Sequence, residues 1–243
     1  MIRPRVVVIV PCLNEADALP HVLTDLSVAL SGLEKDFEID VVVVDDGSED
    51  GTGQIAVERG VFLLRHRSNL GIGGAVQTGV RFAVRNGYEF AIQVDGDGQH
   101  PPLHLKELLL AATSTPRPDI VIGSRFVVRT GYQSTWLRRM GIGWLSTVLR
   151  VFAGVKVSDP TSGFRLFSLR SLRLFELYYP YDYPEPESLA IAQRAGLRIQ
   201  EVPVTMKDRQ GGVSSLVGFA GPYYIVKVTL AILLAVFRKV PNA

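Results

Sequence analysis

The stretch IQVDGDGQHPP, residues 92–102, ends an apolar run in two carboxylates separated by one glycine. Alternate side chains of an extended segment share a face, so Asp95 and Asp97 project to the same side. Two negative charges that close repel unless a cation lies between them. With the amide oxygen of Gln99 they form a hard oxygen set suited to Mg²⁺ or Mn²⁺, ions that keep part of their shell for water and phosphate. The neighbouring glycines let a bulky diphosphate approach the backbone.

Two more loops carry related chemistry. VPCLNEAD brings Pro11, Leu13 and Glu15 out of the first apolar run, and VVVVDDGSEDGT ends the second in Asp45 and Asp46. Asp, Asn and Ser also favour turns and helix N-caps, which accounts for any one loop alone. Three acid-bearing strand ends point instead to one shared rim, because open α/β sheets bind ligands beyond the carboxyl ends of their strands.

The elements that must hold this rim follow from periodicity. RVVVIV, IDVVVVDDGS, VFLLRH, FAIQVDGDG and DIVIGSR read as strands. Between them ADALPHVLTDLSVAL, GTGQIAVERG, IGGAVQTGVRFAVRNG and PPLHLKELLLAAT carry helical spacing or helix starts. Near-continuous Val/Ile runs mark strands buried on both faces. The pattern predicts an α/β fold with a mostly parallel central sheet and helices on both sides.

After Arg125 the rhythm changes. WLRRMGIGWLSTVLRVFAG puts Leu137, Met140, Trp144, Leu145, Val148, Leu149 and Phe152 on one stripe, fit either for the core or for a membrane surface. DPTSGFRLF reads as a polar turn, LRIQEVPVTM as a late strand and DRQGGVSSL as a loop. The tail from Leu216 is apolar, broken by Gly221 and Pro222, and the run Tyr223 to Phe237 falls short of the ~20 residues that span a bilayer. An interfacial or partner-binding amphipathic helix is expected there.

The 243 residues suffice for one large domain, and a single cysteine excludes a disulfide framework. Net charge is +2, but residues 1–124 sum to −7 and residues 125–243 to +9. An acidic half able to hold a cation precedes a basic half able to meet phosphate or an anionic surface. His21, His66, His100 and His104 show no zinc spacing with Cys12. His100 is read as structural, before its two prolines. No Walker A loop or nucleophile elbow is present, and VPCLNE stands where a dinucleotide fingerprint would be.

VPCLNE, VVVVDDGSEDGT, NLGIGGAVQTG, VDGDGQHPP, IGSRF and DPTSGFR, in that order, resemble the inverting family 2 glycosyltransferases of GT-A fold. Within them the closest likeness is to the dolichol- and polyprenyl-phosphate mannosyl- or glucosyltransferases. The matches run from about Val6 to Ser215. The resemblance implies a Rossmann-like catalytic domain over residues 1–215 and a membrane- or partner-associated tail over 216–243. It further implies a GDP- or UDP-hexose donor, Mg²⁺ or Mn²⁺ as cofactor and polyprenyl phosphate as acceptor.

Carried over by position, Pro11, Leu13, Glu15 and Asp46 would hold the donor's base and ribose, with Asp45 supporting the turn. Asp95, Asp97 and Gln99 would ligate the metal. Arg125 and Arg209 would contact the diphosphate or the acceptor phosphate, and Ser162 and Arg165 would line the acceptor side. The lipid-phosphate branch often carries a lysine after the serine of its R-x-x-G-x-S-K loop, whereas Ser215 stands there in this chain. A cation at the transfer site is therefore missing or supplied from elsewhere.

Glu185 and Glu187, in YDYPEPESLAIAQRAG, are placed just before a helix, where acids are favoured anyway. Glu187 is the preferred general base should the acceptor be a sugar hydroxyl; an ionised lipid phosphate needs none. The rival readings are a saccharide acceptor and a non-catalytic nucleotide-sugar-binding partner of a membrane protein. The expected location is peripheral, at the cytoplasmic membrane face, on lipid or on a small membrane protein, with no nucleic acid involved.

Overall fold

The computed structural model describes residues 3–127, 136–206 and 220–240. Its strands are β1 Arg5–Cys12, β2 Glu38–Asp45, β3 Phe62–Arg65, β4 Phe90–Gln93, β5 Ile120–Ser124, β6 Arg165–Ser168 and β7 Ile199–Pro203. They form one sheet in the order β3-β2-β1-β4-β6-β5-β7. Every neighbouring pair is parallel except those of β6, which runs antiparallel to both β4 and β5.

The helices are α1 Leu19–Ser31, α2 Thr52–Glu58, α3 Gly71–Arg85, α4 Leu105–Ala112, α5 Trp136–Val148, α6 Leu169–Tyr178, α7 Pro184–Arg194 and α8 Ala220–Phe237. α5 runs on into a π-helical turn, Leu149–Ala153. The alternation of β1 divides the core in two. Val7 and Ile9 pack with α3 and α5 to α8, whereas Val6, Val8 and Val10 pack with α1, α2 and α4. Both faces being covered explains the unbroken apolar run of this strand.

From β1 the chain moves outward to β2 and β3, then returns to β4 on the other side. The crevice beyond the carboxyl ends of β1 and β4 is therefore the switch point where a ligand fits. The loop after β4 reaches across it, Gly96 donating its N–H to the Pro11 carbonyl at 3.3 Å.

Three features differ from the expectations. DPTSGFRLF is not only a turn, since its end is β6, with Arg165 fully buried inside it. The predicted stripe of α5 divides: Leu145, Val148 and Leu149 are buried, while Leu137, Met140, Trp144 and Phe152 face outward. The apolar tail, expected to meet a membrane or a partner, also contributes to the core. Val228, Ile232 and Ala235 of α8 join the core of α5 to α7, although the boundary expected at residue 215 lies outside the described residues. Pro222 falls in the first turn of α8, where proline is tolerated.

Candidate active site

Two loops at the rim are stitched together by side chains. Asn14 N–H donates to Ser48 Oγ at 2.9 Å, and Glu49 N–H to Asn14 Oδ1 at 2.9 Å. Glu15 N–H donates to Thr52 Oγ1 at 3.0 Å, and Ala16 N–H to Asp50 Oδ2 at 2.9 Å. Asn14 takes φ 54°, a left-handed conformation that Asn tolerates better than most residues. Pro11 is buried at the base of this pair of loops, Glu15 is half-buried and Leu13 is exposed.

Asp45 braces the turn that follows β2. Its Oδ1 accepts from Ser48 N–H at 2.9 Å, and Arg65 Nε lies 3.2 Å from its Oδ2 without hydrogen-bond alignment. Asp46 is bonded to the loop that follows β3. Its Oδ1 accepts from Leu70 N–H at 2.9 Å and meets His66 Nδ1 at 2.7 Å, and its Oδ2 accepts from Gly71 N–H at 2.9 Å. About one of a carboxylate's four acceptor positions is left for a ligand. Asp46 thus fixes the start of α3, which is why NLGIGG follows β3.

Behind the loop of Asp95 to Gln99, Gln93 Nε2 donates to Asp95 Oδ1 at 3.0 Å, while the buried Gln93 Oε1 has no hydrogen-bond partner. Asp95 N–H donates to His100 Nδ1 at 3.0 Å, so the ring proton sits on Nε2, 3.6 Å from Asp95 Oδ2. His100 also stacks on Phe164 with centroids 5.1 Å apart. It orients Asp95, in keeping with the structural role expected of it. Asp97, only 5% exposed, accepts the Gln99 N–H at 3.0 Å and so closes the loop on itself.

The residues fit a divalent cation. Gly163 faces Asp95, and a Cβ there would lie 3.3 and 3.4 Å from the two carboxylate oxygens and 2.9 Å from Gln93 Nε2. A larger residue would fill the cradle. Among the described residues no three His, Cys, Asp or Glu side chains converge, so part of any ion's shell must come from a ligand or from water. Several carboxylates surround Cys12. The Cys12 thiol is raised well above its ordinary value by burial first, then by Glu15, Asp45, Asp95 and Asp50.

The expected acceptor-side residues are placed differently. Arg125 is buried, and its Nε and Nη2 fork onto the two oxygens of Asp159 at 2.6 Å each. Nη2 also donates to Thr161 Oγ1 at 2.9 Å. A guanidinium neutralised in this way is not an open phosphate clamp. Arg165 donates to the carbonyls of Ser162, Glu185 and Pro160 and to Ser188 Oγ, all within 2.7–2.9 Å. Ser162 Oγ donates to the Gly123 carbonyl. Ser162 and Arg165 therefore brace β6 and the start of α7 and do not line an open acceptor surface. Arg209 lies outside the described residues.

Sequence reasoning missed Asp159. Its backbone N–H and that of Ser158 are held by Glu201, at 2.9 and 2.7 Å, which fixes the carboxylate that captures Arg125. The aspartate of DPTSGFR was visible in the sequence, but nothing local tied it to Arg125, 34 positions earlier.

The two glutamates also exchange places in importance. Both lie in the first turn of α7, not before it. Glu187 is raised by burial, with Arg238 lowering it and Asp182 raising it, so it faces α8. Glu185 is raised chiefly by burial, with Arg165 lowering it and Asp95 adding a smaller upward push. A carboxyl raised in the folded state stabilises the protein below the ordinary Glu value of about 4.3, and that contribution is lost as pH rises through the raised value. Glu185→Gln is accordingly expected to raise the melting temperature at neutral pH, with the gain vanishing at pH 4. A constant gain across that range would contradict the shift.

The fold is the GT-A fold. A glucosyl-3-phosphoglycerate synthase from Mycobacterium tuberculosis, solved with Mn²⁺, UDP-glucose and phosphoglyceric acid, superposes with a TM-score of 0.71 at 19% identity, covering 97% of this chain and 81% of that one. The chain belongs to glycosyl transferase family 2, whose model matches residues 7–175, and it is a glycosyltransferase. It is 35% identical over 236 residues to the undecaprenyl-phosphate mannosyltransferase of Micrococcus luteus, covering 93% of each chain. It is 31% identical over 229 residues to the polyprenol monophosphomannose synthase of Mycolicibacterium smegmatis, covering 89% of this chain and 83% of that one.

Proposed function

We propose that this glycosyltransferase moves a hexosyl group, with inversion, from a nucleotide diphosphate sugar to polyprenyl phosphate at a membrane surface. The observation that carries the lipid acceptor is an exposed apolar face beside the acidic rim. Trp136, Leu137, Met140 and Trp144 of α5 and Tyr223, Val226, Leu230 and Leu234 of α8 all point outward. α5, the π-helical turn and α8 contain arginine and lysine but no aspartate or glutamate. Exposed aromatic and basic residues without acids suit the interface of an anionic bilayer. No helix among the described residues is long and apolar enough to cross a membrane. Lipid relatives covering most of the chain support the same acceptor class.

In this reading Asp95 and Asp97, with Gln99, would hold Mg²⁺ or Mn²⁺, whose charge offsets that of the leaving diphosphate. Pro11, Leu13, Glu15 and Asp46 form the pocket for the nucleoside. Asp46 does so chiefly by holding the loop between β3 and α3. Arg209 is assigned to phosphate. Arg125 acts by holding the end of β5 against Asp159. A phosphate acceptor is already ionised at neutral pH, so no side chain has to remove a proton before it attacks the face of the sugar opposite the leaving group.

A second reading rests on Glu185. Its carboxyl is raised chiefly by burial, with a smaller contribution from Asp95, which suits the general base that a saccharide hydroxyl acceptor would require. Radiolabelled UDP-glucose and GDP-mannose, each supplied with polyprenyl phosphate or with oligosaccharide, separate the two. Label in the organic phase is the expected result; label confined to water-soluble saccharide product would replace the first reading with the second.

A further inference from the structure

Ser215 stands after Ser214 where the resemblance leads one to expect lysine, and α8 carries one lysine, Lys227. We propose that Lys227 binds the phosphate of the lipid acceptor while the exposed face of α8 takes its first isoprenoid units. This rests on the acceptor reading given above.

Lys227 interrupts the outward row of Tyr223, Val226, Leu230 and Leu234. Its Nζ lies 3.3 Å from Asp182 Oδ2, with the ring centroids of Tyr183 and Tyr223 at 5.0 and 6.0 Å. Tyr183 also packs edge-on against Tyr224 at 5.1 Å. Asp182 and Tyr183 belong to the loop between α6 and α7, and that loop touches the donor side. A Cβ on Gly73, at the start of α3, would come within 2.3 Å of the Pro180 and Tyr181 carbonyl oxygens. The same start of α3 is tied to Asp46. The loop then enters α7 at Pro184. The lysine thus stands where the carboxylate rim meets the apolar face.

Charge chemistry favours exchange of its partner. The Lys227–Asp182 pair is largely exposed, with side chains 43% and 71% accessible. Such pairs hold weakly, whereas a phosphate offers more charge and several strong acceptor oxygens to an ammonium. Lys227 is the one cation within α8, and Arg238, just past its end, lies over the Tyr178 ring. A row of apolar side chains around one ammonium matches an isoprenoid phosphate better than a free phosphate.

The test measures binding of farnesyl phosphate, farnesol and inorganic phosphate by calorimetry, then acceptor and donor KM with polyprenyl phosphate. Lys227→Gln is expected to weaken farnesyl phosphate binding and raise acceptor KM by about tenfold, the scale of one charged hydrogen bond, with Lys227→Arg recovering most of the loss. Asp182→Asn, which removes the competing carboxylate, is expected to tighten both. Equal acceptor KM in Lys227→Gln and wild type would overturn the assignment. So would an Asp182→Asn variant as impaired as Lys227→Gln, since the pair would then only hold its loop. Wild-type protein that binds farnesyl phosphate no better than farnesol would instead overturn the acceptor reading itself.

Discussion

Asp97→Ala is expected to lose turnover by about a hundredfold or more, the scale on which one preorganised electrostatic group contributes to a developing charge. The side chain does two separable things. It caps the Gln99 N–H at 3.0 Å, and it brings a second carboxylate to the rim beside Asp95. Alanine removes both, whereas Asp97→Asn keeps an oxygen for the cap and removes only the charge. Loss of the cap alone costs about 1 kcal/mol of stability. Asp97→Asn should therefore melt close to wild type and still be nearly as inactive as Asp97→Ala, with Mn²⁺ giving wild type but not the variant a thermal shift. Turnover by Asp97→Asn near the wild-type rate would remove the metal assignment, because a neutral amide cannot replace a carboxylate in offsetting the charge of a diphosphate.

How far the chain can be read without coordinates depends on where each residue's partner sits in the sequence. β1, β2 and β4 were legible because both faces are covered and Val/Ile runs have no other easy explanation. The acids at the rim were legible because they follow those runs directly. β6 was not, since four residues headed by an arginine look like a turn; Arg165 is tolerated inside only because four donors find carbonyls and a hydroxyl contributed by residues 160–188. Arg125 was misread for the same reason, its partner Asp159 being 34 positions away. Glu185 and Glu187 show another limit. Residues two apart in a helix point in nearly opposite directions, so one of them had to face away from the site. Which one it was depended on how α7 packs against α8, and nothing local to the sequence encodes that.

The Arg125–Asp159 pair makes the largest stability prediction. With both side chains at most 5% exposed, removing one partner strands a charge where water cannot reach it. Asp159→Ala is expected to destabilise by about 3–5 kcal/mol, visible as a lower urea midpoint at unchanged slope. The fork itself need not be a net source of stability, because burying two charges offsets most of their attraction. The double variant Arg125→Met/Asp159→Leu should hence recover at least about half of the single loss, as apolar replacements of buried pairs do elsewhere. Its activity then decides what the pair is for. Asp159 lies between the Glu201 cap and Arg125 at the end of β5, so the fork fixes the direction in which the chain leaves that strand toward residue 128. A stable but impaired double variant is the expected outcome, and it would identify orientation of the rim as the function of this pair. A double variant as unstable as the sum of the two singles would show that desolvation is not what limits the pair, and the neutralised state assigned to Arg125 would fall with it.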